Sequence, residues 1–192
     1  MHKKVADALC FAADAHKRQR RKADDSPYII HPLRVVQNLV VCEYSDPDLL
    51  CAAVLHDVVE DTDVTLDEIE KRFGPAVASV VAEVTDDKTL TKAERKRKQI
   101  EKVRYGSVNM QRIKIADKID NCRDLLKQPP PGWSDERVRG YIVWSNAVVN
   151  AVPYEHAPKL HAMFSEVYDD SGAPSDPDTQ ETLLSAYYAS MQ

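Results

Sequence analysis

The stretch Leu55-His56-Asp57-Val58-Val59-Glu60-Asp61-Thr62 follows an apolar run, Leu49-Leu50-Cys51-Ala52-Ala53-Val54, and leads into a polar turn at Thr62-Asp63. Asp46-Pro47 ahead of it supplies an N-cap and a proline at the first helical position. The expectation is one helix, anchored in the core by Leu49, Leu50, Ala53, Val54 and Val58, with the motif at its C-terminal end. On that helix His56 and Glu60 stand at i and i+4, Asp57 and Glu60 at i and i+3, and Asp57 and Asp61 at i and i+4. Four polar side chains then crowd one quadrant of the surface. Three carboxylates this close repel one another unless a cation relieves them or one takes a proton. A divalent metal with imidazole and carboxylate ligands meets that need. A solvated acidic helix end is the plainer alternative.

Outward from this segment the chain reads as all-α. It has only five glycines, and strand-type alternation bounded by turn pairs is almost absent. A first helix is expected over 2–20, with Val5, Leu9, Ala12 and Ala13 on its buried face, broken by Ala23-Asp24-Asp25-Ser26-Pro27. A second follows His31-Pro32 through Leu33, Val36, Leu39 and Val40. Thr65 through Glu68 has capping-box spacing, and Gly74-Pro75 stops one helix and starts another. Ser107 is expected to cap a long helix through Leu126 that ends before Pro129-Pro130-Pro131-Gly132. Ser134-Asp135-Glu136 opens the next one. Past Asn150 the chain changes character. Residues 171–177 read as an exposed linker, and Leu160, Met163, Phe164, Leu183 and Leu184 are expected to dock short helices on the body.

Composition narrows the function classes. No apolar run approaches the ~20 residues of a membrane span, and the N-terminus lacks the apolar stretch of a signal peptide. The cytoplasm is the expected compartment. The four cysteines (Cys10, Cys42, Cys51 and Cys122) form no close pair, which removes support for a thiolate metal site or a redox motif. Each is expected to pack in or near the core. The net charge of −5, and the lack of aromatic residues among the basic ones between Lys88 and Arg104, argue against a nucleic-acid partner. Two local basic stretches, residues 16–22 and 88–104, suit either solvated helix faces or a small, highly phosphorylated ligand beside a cation.

Two further segments supply candidate ligands. Tyr28-Ile29-Ile30-His31-Pro32 sets a histidine between an apolar stretch and a helix start. Lys114, Asp117, Asn121 and Asp124 fall at i−3, i, i+4 and i+7 on a helix whose Ile113, Ala116 and Ile119 look buried. A polar stripe on such a helix costs stability unless it lines a site or forms an exposed salt-bridged face.

Taken in order, His31, His56-Asp57 and Asp117 resemble the signature of the HD superfamily of metal-dependent phosphohydrolases. Six ordered blocks narrow the likeness: 19–22 (Gln-Arg-Arg-Lys), 27–32 (Pro-Tyr-Ile-Ile-His-Pro), 56–62, 84–88 (Val-Thr-Asp-Asp-Lys), 116–121 (Ala-Asp-Lys-Ile-Asp-Asn) and 131–134 (Pro-Gly-Trp-Ser). Over roughly residues 5–150 the chain is similar to the hydrolase domain of RelA/SpoT-type alarmone enzymes, and most of all to the small stand-alone SpoT-homologue hydrolases.

That resemblance implies an all-α, HD-domain helical bundle over 1–152, with 153–192 as a C-terminal extension of short docked helices. It implies one Mn²⁺ held by His31, His56, Asp57 and Asp117, and removal of the 3′-pyrophosphate of ppGpp or pppGpp to give GDP or GTP. Glu60 and Asp61 match the acidic pair that activates water; Arg21 and Lys22 match basic residues near the substrate; Asn121 and Asp124 match positions of the nucleotide pocket. Lys114 joins the substrate side from the stripe alone. Two departures bear on the base: the loop 22–27 is short and acidic, and Asp120 stands where the family often has an aromatic or histidine. The alternatives are an HD phosphohydrolase acting on a dNTP or an NADPH-like phosphate, or an alarmone-binding protein without turnover. The sequence assigns no oligomeric state.

Overall fold

A computed structural model describes residues 2–191. The helices are α1 (Lys3–Ala15), α2 (Ile30–Val41), α3 (Pro47–Leu55), α4 (Val58–Asp61), α5 (Leu66–Phe73), α6 (Pro75–Val84), α7 (Lys92–Tyr105), α8 (Val108–Lys127), α9 (Asp135–Asn150), α10 (Pro158–Asp170) and α11 (Pro177–Ala189), with a 3₁₀ turn at Tyr154–His156. No strand occurs among the described residues; one isolated bridge joins Arg20 and Pro27. Among these residues no helix is long and apolar enough to cross a membrane.

Two helices organise the rest. From Cys51 through Leu55, α3 is buried all round, because α1, α2 and α6 pack against it from different sides. The long α8 lies across α2, α6, α9 and α10, and buries Ile113, Ile115, Ala116 and Ile119. Asp46 starts α3 by accepting from the backbone N–H groups of Asp48 and Leu49, and Pro47 fills the first helical position. Ser107 caps α8 and Ser134 caps α9, each accepting from the N–H three residues on.

Several expectations need correction. The helix through 56–61 is not continuous. It ends at Leu55, His56 and Asp57 form a turn, and the four-residue α4 follows. The first helix stops at Ala15 rather than Arg20, and His31 lies in the first turn of α2 rather than before it. Cys42, Cys51 and Cys122 are buried, whereas Cys10 is exposed. In the C-terminal segment Leu160 and Phe164 are buried as expected, but α11 meets α9 through Tyr187, which packs on Tyr141 and Trp144, while Tyr188 lies under Arg97 of α7. Gly140 on α9 admits the Tyr187 contact, since a Cβ there would lie 2.6 Å from Tyr187 Cβ.

Candidate metal centre and adjoining cavity

Three elements meet where α2 begins, α3 ends and α8 passes its midpoint. His31 comes from the first, His56 and Asp57 from the second and Asp117 from the third. Ligand atoms of His31, His56 and Asp117 all lie within 4.8 Å of one another, and all three residues are buried. His31 Nε2 is 3.2 Å from Asp117 Oδ1 and 3.7 Å from Asp57 Oδ2.

The far nitrogens of the two rings decide what the near ones present. His31 Nδ1 lies 2.7 Å from Asp120 Oδ2, and His56 Nδ1 lies 2.8 Å from the Ala53 carbonyl. Both partners are acceptors, so each Nδ1 carries the hydrogen and each neutral ring turns a bare Nε2 inward. His56 Nε2 is buried and has no hydrogen-bond partner, although Asp57 Oδ2 sits only 3.1 Å away. Two lone pairs facing each other at that distance call for a cation between them. Two imidazole nitrogens and two carboxylates, with the rings oriented from behind by Asp120 and Ala53, form a donor set that fits a divalent metal.

Without a metal, a proton takes its place. Burial opposes charge on His31, but hydrogen bonds to Asp117 and Asp120 outweigh it and push its pKa up to about 9. Burial also opposes the charge of Asp117, yet the Lys118 ammonium, 2.6 Å from Oδ2, and His31 hold its carboxyl well below the usual range. Asp57 is depressed in the same way by His56 and His31, against burial, and accepts a 2.5 Å hydrogen bond from the Tyr28 hydroxyl.

The two residues of the acidic pair face different surroundings. Glu60 Oε2 accepts from the Asp86 backbone N–H at 3.0 Å, and Oε1 lies 3.7 Å from Arg95 Nη1 on α7. Burial raises its pKa, the Asp86 N–H working against the rise. Asp61 Oδ1 pairs with Lys88 Nζ at 3.2 Å, and Asp61 lines a cavity of about 370 Å³. Gln19, Arg21, Lys22, Tyr28, Asn121, Asp124, Trp133 and Tyr141 also line this cavity. The break at His56-Asp57 sets both acids on α4, apart from the helix that ends at Leu55.

Arg21 donates through Nη2 to Asp124 Oδ2 at 2.6 Å and to Asn121 Oδ1 at 3.4 Å, which fixes the loop after α1 to α8. Lys114 stands apart from this group. Its buried ammonium donates to the Val84 carbonyl at 2.7 Å, at the C-terminal end of α6, and it does not line the cavity.

The model of the HD domain matches residues 8–140. This chain belongs to the HD-domain family. It is 43% identical over 170 residues to the guanosine-3′,5′-bis(diphosphate) 3′-pyrophosphohydrolase MESH1 of Mus musculus, covering 88% of this chain and 94% of that one. Identity to the MESH1 of Homo sapiens is 47% over 150 residues, covering 77% and 84%. A solved structure, described as a metazoan orthologue of SpoT that hydrolyses ppGpp and plays a role in starvation responses, superposes with a TM-score of 0.86 at 42% identity. That likeness covers 91% of this chain and 98% of the other.

Sequence reasoning missed three features of this HD domain. In the sequence Asp120 stands out only as a departure from the family; in the structure it is the carboxylate behind His31. Its place three residues after Asp117 was the available signal. In the sequence Tyr28 is only part of a block; in the structure its hydroxyl donates to Asp57. Trp133 and Tyr141, 6.0 Å apart between ring centroids, give the cavity an aromatic wall. They lie on different elements, and no spacing rule joins them.

Proposed function

We propose that this protein is a guanosine-3′,5′-bis(diphosphate) 3′-pyrophosphohydrolase that works with one Mn²⁺. The observation that carries this reading is the pair of inward, bare imidazole nitrogens beside Asp57 and Asp117, opening next to a cavity with a cationic and an aromatic wall. The relatives that match most of the chain carry this activity in their names.

His31, His56, Asp57 and Asp117 hold the metal, which supplies Lewis-acid polarisation of a phosphoryl oxygen when bound. Arg21 and Lys22 take the phosphate charge of the nucleotide. Both Arg21 bonds leave from Nη2, so Nε and Nη1 are not engaged by them and can donate to a phosphate. Trp133 and Tyr141 offer π faces to the guanine, with Asn121 and Asp124 as polar neighbours. The Glu60-Asp61 pair accepts the proton of the attacking water. The raised pKa of Glu60 brings it nearer the range a general base needs. Water attacks the phosphorus bonded to the ribose 3′ oxygen, the bond between that phosphorus and the 3′ oxygen breaks, the 3′ oxygen takes up a proton, and the two linked phosphoryl groups leave as pyrophosphate. We assign residues 1–152 to the hydrolase unit and 153–192 to an extension docked on it through α10 and α11.

The test is hydrolysis of ppGpp, pppGpp, dNTPs and NADPH side by side with Mn²⁺, read as release of pyrophosphate, triphosphate or phosphate. Release from ppGpp and its loss in Asp57→Ala are expected. No release from ppGpp overturns the substrate; survival of activity in Asp57→Ala overturns the metal assignment.

A further inference from the structure

His16, at the end of α1, enters none of the roles above. Its imidazole is only 2% exposed, and its ring centroid lies 4.9 Å from that of Tyr28. Its Nδ1 is 2.5 Å from Gln19 Oε1, and Gln19 Nε2 donates to Asp61 Oδ2 at 3.4 Å. One imidazole therefore stands behind two contacts of the candidate site, Tyr28 to Asp57 and Gln19 to Asp61.

Proton positions follow from what each group can do. The Asp61 carboxylate only accepts, so Gln19 turns its NH₂ toward it and its carbonyl toward His16. A carbonyl also only accepts, so His16 Nδ1 carries the hydrogen. Nε2 is then bare, and it is buried with no hydrogen-bond partner. Burial of the ring lowers the pKa of His16, against the bond to Gln19, which agrees with a neutral imidazole. Burying an unpartnered nitrogen costs stability that a phenyl ring of similar size avoids. Packing on Tyr28 alone gives no reason for an imidazole; the bond from Nδ1 does. The link from Gln19 to Asp61 is long, and contacts of this kind shorten when substrate is bound.

We propose that His16 is a positioning residue for the hydrolytic step, holding Gln19 so that its amide aims the Asp61 carboxylate. The inference rests on the hydrolase reading for its kinetic readout, but its chemical core, the Nδ1–H tautomer, is independent of it.

The experiment combines four variants with one spectrum. His16→Phe, which keeps the ring against Tyr28, is expected to lower kcat for ppGpp by about tenfold or more and to change KM by less than about threefold. Its Tm is expected to be no lower than that of the wild type. His16→Asn places an amide N–H near the position of Nδ1–H and is expected to recover most of the kcat. Gln19→Leu, at a partly exposed position, is expected to match His16→Phe, and the double variant to be no worse than the poorer single one. The ¹⁵N spectrum of the metal-free wild type is expected to show His16 as the Nδ1–H tautomer, lost in Gln19→Leu. A wild-type kcat in His16→Phe, losses that multiply in the double variant, no recovery in His16→Asn, or an Nε2–H tautomer would each overturn the proposal. If His16→Phe does not fold, Gln19→Leu and the spectrum decide. If the wild type releases nothing from ppGpp, the substrate reading fails and the tautomer alone decides the His16 assignment.

Discussion

His31 Nδ1 donates to Asp120 Oδ2 across 2.7 Å, and both side chains are almost wholly buried, 2% and 3% exposed. This bond sets the tautomer and the plane of the ring, so His31 meets Asp117 and Asp57 with Nε2 rather than Nδ1. Asp120→Ala removes that constraint while leaving all four proposed ligands in place. Mn²⁺ affinity is expected to fall about 10–100-fold, measured by calorimetric titration. An unchanged affinity would show that Asp120 serves packing alone.

The metal-free protein should lose stability as pH rises. The folded-state pKa of His31 is raised from its ordinary 6.5 to about 9. The stabilisation from its protonated form is therefore complete below about 6.5 and is lost as pH climbs through about 9. Thermal melts of the metal-free protein between these values are expected to show a falling Tm. Saturating Mn²⁺ should flatten the curve, because the cation replaces the proton, and Mn²⁺ affinity should itself rise over the same window.

Lys114 and Arg21 should separate cleanly. Lys114→Met leaves the Val84 carbonyl without its buried donor and is expected to cost about 1–3 kcal/mol of stability. Its KM for ppGpp should stay within about twofold. Arg21→Ala, at the cavity wall, should raise KM by about tenfold or more with a smaller change in Tm. Denaturant unfolding beside steady-state kinetics checks both, and a raised KM in Lys114→Met would return that residue to the substrate side.

Gly140→Ala should loosen the C-terminal extension. The added methyl would lie 2.6 Å from Tyr187 Cβ, an overlap expected to cost about 1–3 kcal/mol. Cleavage in the 171–177 loop by limited proteolysis should speed up while Mn²⁺ affinity stays unchanged. Equal proteolysis rates in both proteins would mean that α11 is held by contacts other than this one.

Much of the helix plan could be read from local chemistry. Asp46-Pro47, Gly74-Pro75, Ser107 and Ser134 act within a turn of themselves, so their effects survive without knowledge of the rest of the fold. The same locality explains the errors. Periodicity carried α1 to Arg20, but the chain turns at His16, whose side chain bonds Gln19. It carried the central helix through Asp61, but His56 and Asp57 form a turn there. Neither break has a glycine or proline to announce it.

The four proposed metal ligands follow from the resemblance of His31, His56-Asp57 and Asp117, in that order, to the HD signature. What surrounds them was not legible in that way. Asp120 behind His31, Tyr28 on Asp57, Gln19 on Asp61 and Lys114 on Val84 are all contacts between elements. Each depends on how α1, α2, α6 and α8 pack, and packing is set by the summed burial of side chains far from the site. The sequence by itself therefore determined the helical class and the chemistry of the donor set. Only the tertiary structure decided which nitrogen each histidine presents, which acid faces the cavity and which lysine stays out of it.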